Sequence, residues 1–304
     1  MKPADQLKIS SISDFHKLFG LPGPKHPLIS VIDFSKARPQ NIPNRVFFGC
    51  YYISIKRNMD FKLIYGHQPY DFDNGVMAFI APNQILRIEK EQVLTKHPSG
   101  WALLIHPDFL WNTSLAEDIK NFDFFRYSAN EALFLSEKEE NTVNGIVEKI
   151  QQEYHSNIDN YSKKIIITHI ENLLSYCERF YNRQFITREK ANHQILNRLE
   201  NILTDYFNND DLITKGLPTA QFVASQVNMS VSYLSRMLKV LTGQSTQQHI
   251  HDKLIEKAKE KLSTTDKSVS EIAYELGFEH SQAFSRLFKS KTNQSPLKFR
   301  QSFN

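Results

Sequence analysis

The sequence predicts an α+β chain. A small antiparallel barrel or sandwich of strands comes first, helices follow it, and the C-terminal domain is all-helical, with two helix-turn-helix units joined by a linker helix. Three observations carry this. Between residues 28 and about 105, apolar runs of strand length alternate with Pro, Asn, Asp and Gly. From about 109 to 185, apolar residues recur at helical spacing. The last 89 residues repeat themselves at an offset of 50.

The chain has 304 residues, enough for two domains at ~100–200 residues each. The boundaries read as 1–190 for the body, 191–215 for a connecting helix and linker, and 216–304 for the C-terminal domain. Over 10–19 one short helix is expected, with Ser10, Ser11 or Ser13 at its cap and Ile12, Phe15, Leu18 and Phe19 facing inward. Gly20, Pro22, Gly23, Pro24 and Pro27 end it. Strands are expected over 28–34, 46–55, 61–65, 76–80 and 100–105, all rich in β-branched and aromatic residues. Asp73-Asn74-Gly75 holds the Asn-Gly hairpin dipeptide, since both residues tolerate positive φ.

Past Pro107 the pattern turns helical. Ser136 and Glu139 form a capping box ahead of a stripe of Val143, Ile146, Val147, Ile150 and Tyr154. A second stripe follows: Ile166, Ile167, Ile170, Leu173, Leu174, Cys177 and Tyr181. These helices pack on the sheet or on a second copy of the chain, and a homodimer is the expected state. A third helix, about 191–208, leads to the polar cluster Asn208-Asn209-Asp210-Asp211.

Composition excludes several classes. Two cysteines, Cys50 and Cys177, are too few for a disulfide framework or a multi-cysteine zinc site. No apolar run reaches the ~18 residues of a membrane span, and Met1-Lys2-Pro3-Ala4-Asp5 lacks the form of a secretion signal, so a cytoplasmic location is expected. Charge is uneven. Residues 216–304 hold 12 Lys/Arg against 7 Asp/Glu, while the rest hold 25 against 26. A basic domain on a near-neutral body suits a polyanionic partner.

In the repeat, Leu234-Ser235-Arg236-Met237-Leu238-Lys239 aligns with Phe284-Ser285-Arg286-Leu287-Phe288-Lys289, and Val223-Ala224 aligns with Ile272-Ala273. Each copy reads as helix, tight turn, helix, with second helices over roughly 231–241 and 281–291. Ser268 and Glu271 make a capping box, and Gly277 supplies the turn, a place taken by Asn228 in the first copy. At 100° per residue, Val231, Leu234, Met237, Leu238 and Leu241 fall on one side of the first copy's second helix, with Ser232, Ser235, Arg236 and Lys239 opposite. In the second, Phe284, Leu287 and Phe288 face inward, and Gln282, Ser285, Arg286 and Lys289 face out. Hydroxyl, amide and basic groups without an acid suit base edges and phosphates in a major groove. Between the copies, Ile250, Leu254, Ala258 and Leu262 mark one connecting helix.

These features resemble the DNA-binding domain of the AraC/XylS family of bacterial transcription regulators. The resemblance covers residues ~217–304 and is carried by the two unequal repeats, the linker helix, Ala273 with Gly277-Phe278, the 284–289 run, and Ser295-Pro296 followed by Phe299-Arg300. It implies a sequence-specific transcriptional regulator of double-stranded DNA. The base-reading residues it implies are Ser232, Ser235 and Arg236 in the first copy, and Ser281, Gln282, Ser285 and Arg286 in the second. Arg236 and Arg286 are suited to bidentate contact with guanine. Lys239, Lys289 and the helix amino ends are suited to phosphate. Some relatives carry a larger side chain where this chain has Ser232, which leaves that contact weaker or water-bridged.

The layout of the body resembles the cupin-like effector and dimerisation region of the same family. A small-molecule effector is then a partner, and RNA polymerase is another. Tyr51, Tyr65, His67, Phe79 and Trp101 are candidates for an effector pocket wall, although core packing explains the aromatic residues equally well. His67, His97 and His106 stand without a His-x-His strand pair, and His249 and His251 diverge on a helix. No metal, no cofactor and no enzymatic activity are expected. Two alternatives remain: a cupin-type binding protein or metal enzyme with an accessory DNA-binding domain, and a ligand-independent dimeric regulator.

Overall fold

The computed structural model describes residues 6–38, 45–57, 64–65, 68–69, 75–87, 99–127, 131–156, 159–208 and 212–302. The chain divides into two compact units, Met1–Gln184 and Phe185–Asn304.

Among its described residues the first unit holds ten strands: β1 (Gln6–Ile9), β2 (Ile29–Asp33), β3 (Arg45–Phe48), β4 (Tyr51–Arg57), β5 (Ile64–Tyr65), β6 (Gln68–Pro69), β7 (Val76–Ile80), β8 (Ile85–Arg87), β9 (Ser99–Ile105) and β10 (Leu133–Phe134). The main sheet has the order β10-β7-β4-β9-β2 and is antiparallel throughout. A smaller sheet, β1-β3-β8, pairs β1 with β3 in parallel and β3 with β8 antiparallel. Of the expected barrel or sandwich, the antiparallel sheet is present, and barrel closure is not seen among the described residues. Among the described residues the two sheets stay open, and one pairing is parallel.

The expected strand over 46–55 is two strands in different sheets. It breaks at Gly49-Cys50, where the Gly49 amide bonds to the Ile9 carbonyl at 2.7 Å. Strands β1, β8 and β10 were not legible. They are two to four residues long, too short for alternation to show. Of the expected Asn-Gly hairpin only Gly75 lies within the described residues.

Period-two geometry sorts the main sheet into two faces. Ile32, Tyr52, Ile80, Ala102 and Leu104 share one face and join a buried cluster with Ile9, Val46 and Phe48 of the small sheet. Helix α1 (Ile12–Leu18) adds Ile12 and Phe15 to that cluster; of the three serines the sequence offered as its cap, Ser11 takes the place and completes a capping box with Asp14. His16 of α1 is buried and doubly bonded, to Ser30 Oγ at 2.9 Å and to the Pro22 carbonyl, so it is a structural histidine. Two short helices, α2 (Pro107–Leu110) and α3 (Leu115–Asp118), follow β9; His106 caps α2, accepting from the Asp108 amide at 3.3 Å.

The other face carries Ile53, Phe79, Met77, Leu103 and Trp101 and meets α4 (Glu137–His155) and α5 (Ser162–Thr187). Both predicted helical stripes are buried in full. Cys177 Sγ lies 3.9 Å from Met77 Sδ, and Trp101 Nε1 donates to Asn144 Oδ1 at 2.8 Å. Burial pushes the Cys50 thiol up to about 11 and the Cys177 thiol upward as well, so neither is a ready thiolate. Gln184, fully buried, completes the edge strand β10: it accepts from the Phe134 amide at 2.9 Å and donates to the Ala132 carbonyl at 3.2 Å.

The second unit is helical: α6 (Glu189–Asn208), α7 (Leu212–Lys215), α8 (Ala220–Gln226), α9 (Val231–Thr242), α10 (Thr246–Thr264), α11 (Val269–Glu275), α12 (Ser281–Thr292) and α13 (Pro296–Gln301). Helix α6, read from sequence as part of a connector, packs against α8 and α10. It buries Leu199, Leu203 and Phe207, and Arg198 donates to the Gln226 carbonyl at 2.6 Å. No described helix is long and apolar enough to cross a membrane.

Candidate nucleic-acid interface

The two helix-turn-helix units are built from the same local bonds. In the first, the Met229 amide reaches the Ala224 carbonyl at 2.9 Å and the Asn228 amide reaches Ser225 at 3.2 Å. In the second, Phe278 bonds to Ala273 and Gly277 to Tyr274, both at 3.0 Å. These are Schellman closures, which need a left-handed residue just past the helix end. Asn228 (φ 58°) and Gly277 (φ 83°) supply it, as the repeat suggested. Ala224 and Ala273 are fully buried.

The second helix of each unit then starts after the turn. Ser230 caps α9 through the Tyr233 amide. Both helices run twelve residues and end on a left-handed residue, Gly243 for α9 and Asn293 for α12. The order is reversed between the copies: Asn then Gly in the first, Gly then Asn in the second. Lys239 and Lys289 sit in the last turns, where a cation suits the helix dipole.

The buried faces agree with the helical arithmetic at Leu234, Met237, Leu238, Phe284 and Phe288. Tyr233 was missed. It is fully buried and meets the Phe185 ring edge-on at 5.0 Å. The tyrosine falls near the margin of the apolar arc, so its side was set by Phe185, 48 residues away in sequence. Val231, Leu241 and Leu287, placed inside by periodicity, are half-buried at the rim.

The outward faces hold the expected groups. Ser232, Ser235 and Arg236 are half-buried on α9, and Lys239 is exposed. On α12, Ser281 and Ser285 are half-buried, while Gln282, Arg286 and Lys289 are exposed. Arg286 Nε leans back to the Gln282 carbonyl at 3.4 Å, a long bond that solvent or a ligand easily replaces. His280 provides no side-chain cap to α12, unlike Thr219, Ser230, Ser245, Ser268 and Ser295 at α8, α9, α10, α11 and α13.

The linker helix α10 buries Ile250, Leu254, Ala258 and Leu262. His249 and His251 part as expected. His249 Nε2 meets Thr242 Oγ1 at 2.9 Å, and His251 Nε2 meets the Gln247 amide at 3.0 Å. Burial lowers both imidazole pKa values, which keeps them neutral at pH 7. Glu275 takes Lys261 at 2.8 Å and also Lys267, and these two hydrogen bonds lower its carboxyl pKa. No cluster of three or more metal-binding side chains occurs among the described residues.

Three of the effector candidates, Tyr51, Phe79 and Trp101, lie on one face of the main sheet but do not converge. Phe79 is buried against Phe124 (4.5 Å) and Phe125 (5.9 Å), and Tyr51 meets Phe125 edge-on at 5.1 Å. Trp101 lines a separate groove of about 300 Å³ with Asp33, Asn144 and Gln151. His67, and the side chain of Tyr65, lie outside the described residues.

Residues 223–302 match the family described as "Helix-turn-helix domain". An HTH-type transcriptional regulator from the cgkA 5′ region of Pseudoalteromonas carrageenovora is 36% identical over 110 residues, 36% of this chain and 60% of that protein. The HTH-type transcriptional activator RhaS of Salmonella arizonae is 42% identical over 79 residues, 26% of this chain and 28% of the activator. The match thus spans less than two thirds of either relative. The C-terminal domain of AraT, a response regulator from Geobacillus stearothermophilus, is 31% identical, with 36% of this chain and 84% of that one covered and a TM-score of 0.31. With its duplicated turn chemistry and these sequence matches, the C-terminal part of this chain is a helix-turn-helix domain of the AraC/XylS type.

Proposed function

We propose that the whole chain is a sequence-specific DNA-binding transcriptional regulator whose second unit reads successive major-groove segments with α9 and α12. One observation carries this: two twelve-residue helices, set by the same Schellman turn, present serine, arginine and lysine at equivalent positions. Ser232, Ser235, Arg236, Ser281, Gln282, Ser285 and Arg286 read bases, and Lys239 and Lys289 hold phosphates. The uncapped amides at the start of α12 suit a further phosphate. The first unit is the dimerisation and effector-sensing body. Its Trp101 groove, about 300 Å³, is at the lower end of sizes that hold small ligands. An effector acts by shifting the population of arrangements that fit the operator.

Selection of duplexes from a random pool by the full chain tests the reading; enrichment of no motif would sink it. Arg286→Ala is expected to cost ~1–3 kcal/mol on the selected site and to relax preference at one base position. Equal weakening on random DNA would remove Arg286 from base reading. Lys289→Ala is expected to weaken all sequences alike and reduce the salt slope by about one unit. An unchanged slope would place Lys289 off the phosphates. A thermal-shift screen across metabolite classes tests the sensing role, since a ligand of the native state raises apparent stability.

A further inference from the structure

The two reading helices must keep a fixed separation if both are to enter the groove together, and one carboxylate on the linker helix is bonded to the ends of both. Asp252 lies in the second turn of α10. Its Oδ2 accepts from Gln244 Nε2 at 2.8 Å, and its Oδ1 accepts from Lys291 Nζ at 2.6 Å. Gln244 directly follows Gly243, the left-handed residue that closes α9, and its own amide is held by Thr242 Oγ1 at 3.2 Å. Lys291 sits in the last turn of α12. Each reading helix is therefore tied at its C-terminal end to a different oxygen of the same side chain.

The repeat does not by itself require this. The turn after α12 copies the turn after α9, with the Gln294 amide on Thr292 Oγ1 at 3.3 Å. The Lys291 position, however, corresponds to Leu241 in the first copy. The lysine that completes the link belongs to the second copy alone. With side chains 38% and 26% exposed, the Asp252–Lys291 pair contributes little to folding stability. What two directed, charge-assisted bonds supply is geometry.

We infer that Asp252 is a positioning residue for DNA recognition: by holding Gln244 and Lys291 it fixes the offset between α9 and α12 and so sets the base-pair spacing between the two half-elements of the site. The inference rests on the DNA-binding reading above. It follows that a duplex with one base pair added or removed between the half-elements is rejected by a rigid pair of reading heads and tolerated by a loosened one, because each added pair both rotates and displaces the second half-element.

The test uses the full chain. A site is selected from random duplexes with the unaltered protein, then rebuilt with one base pair inserted or deleted between its halves. The unaltered protein is expected to lose roughly 10–100-fold in affinity on each altered spacing. Asp252→Ala is expected to reduce that penalty by roughly threefold to fivefold, the most that a pair of this strength can impose, while unfolding within a degree or two of the unaltered protein. Lys291→Met, which leaves the linker helix untouched, is expected to show the same flattened spacing profile. An undiminished spacing penalty in folded Asp252→Ala and Lys291→Met overturns the inference and leaves the DNA-binding reading standing. So does a Lys291→Met protein that weakens on every duplex with its spacing profile unchanged, since Lys291 is then a phosphate contact. Failure of the unaltered protein to select any site removes the DNA-binding reading, and the inference with it.

Discussion

Phe284→Ala is expected to destabilise the second unit by ~3–5 kcal/mol, the usual cost of emptying a buried phenylalanine site. Phe284 is fully buried in the first turn of α12, between the outward-facing Gln282 and Ser285. Its ring meets Phe278 from the turn at 5.5 Å and Phe288 at 5.8 Å, and Phe288 meets Phe299 of α13 at 5.5 Å. The phenyl group thus pins the reading helix to the turn before it and, through Phe288, to the last helix. A loss of this size is a large share of the ~5–15 kcal/mol that holds a typical domain. Denaturant unfolding of the full chain should show the second unit's transition moving to lower denaturant with the first unit's unmoved. DNA affinity should fall on specific and random duplexes together, because the reading surface itself is lost. A cost under 1 kcal/mol would mean that α12 is not seated by this ring.

Gly277→Ala is expected to cost about 2–4 kcal/mol, from left-handed strain and overpacking together. The turn needs φ near +83°, which a Cβ disfavours. The added carbon would also stand 3.1 Å from the Leu212 carbonyl oxygen and 3.1 Å from the Gly216 carbonyl carbon. Both neighbours are backbone, so neither can rotate away. The matching position in the first copy gives the baseline. Asn228 already carries a Cβ at φ 58°, and Asn228→Gly should change stability by only a few tenths of a kcal/mol. A Gly277→Ala cost as small as that of Asn228→Gly, measured by the same unfolding transition, would show that neither left-handed strain nor the close approach of the Leu212–Gly216 segment contributes.

Legibility followed the range of the interaction that decides each feature. The caps at Ser136 and Ser268, the turns at Asn228 and Gly277, and the stripes of α4, α5 and α10 were all readable, and the cap of α1 was narrowed to three serines. Each is settled within one or two turns of chain. The outward serines, arginines and lysines of α9 and α12 were readable for the same reason, since 100° per residue places them without reference to the rest of the fold. What failed was non-local. Tyr233 went inward because Phe185 meets it. Gln184 became a backbone partner for β10, which no local pattern announces. Asp252 carries no local mark of its role, because Gln244 and Lys291 reach its two oxygens from outside α10.

The sequence alone determined the α+β class, the duplicated reading unit and the chemistry on its two exposed faces, because helix periodicity and turn stereochemistry are local properties of the backbone. Only the tertiary structure decided how the strands pair. It split 46–55 between two sheets, set β1 parallel to β3, left both sheets open among the described residues and drew α6 against α8 and α10. Strand pairing and helix docking depend on which surfaces meet after the chain has collapsed, and residues far apart in sequence supply those surfaces without a periodic mark of their own.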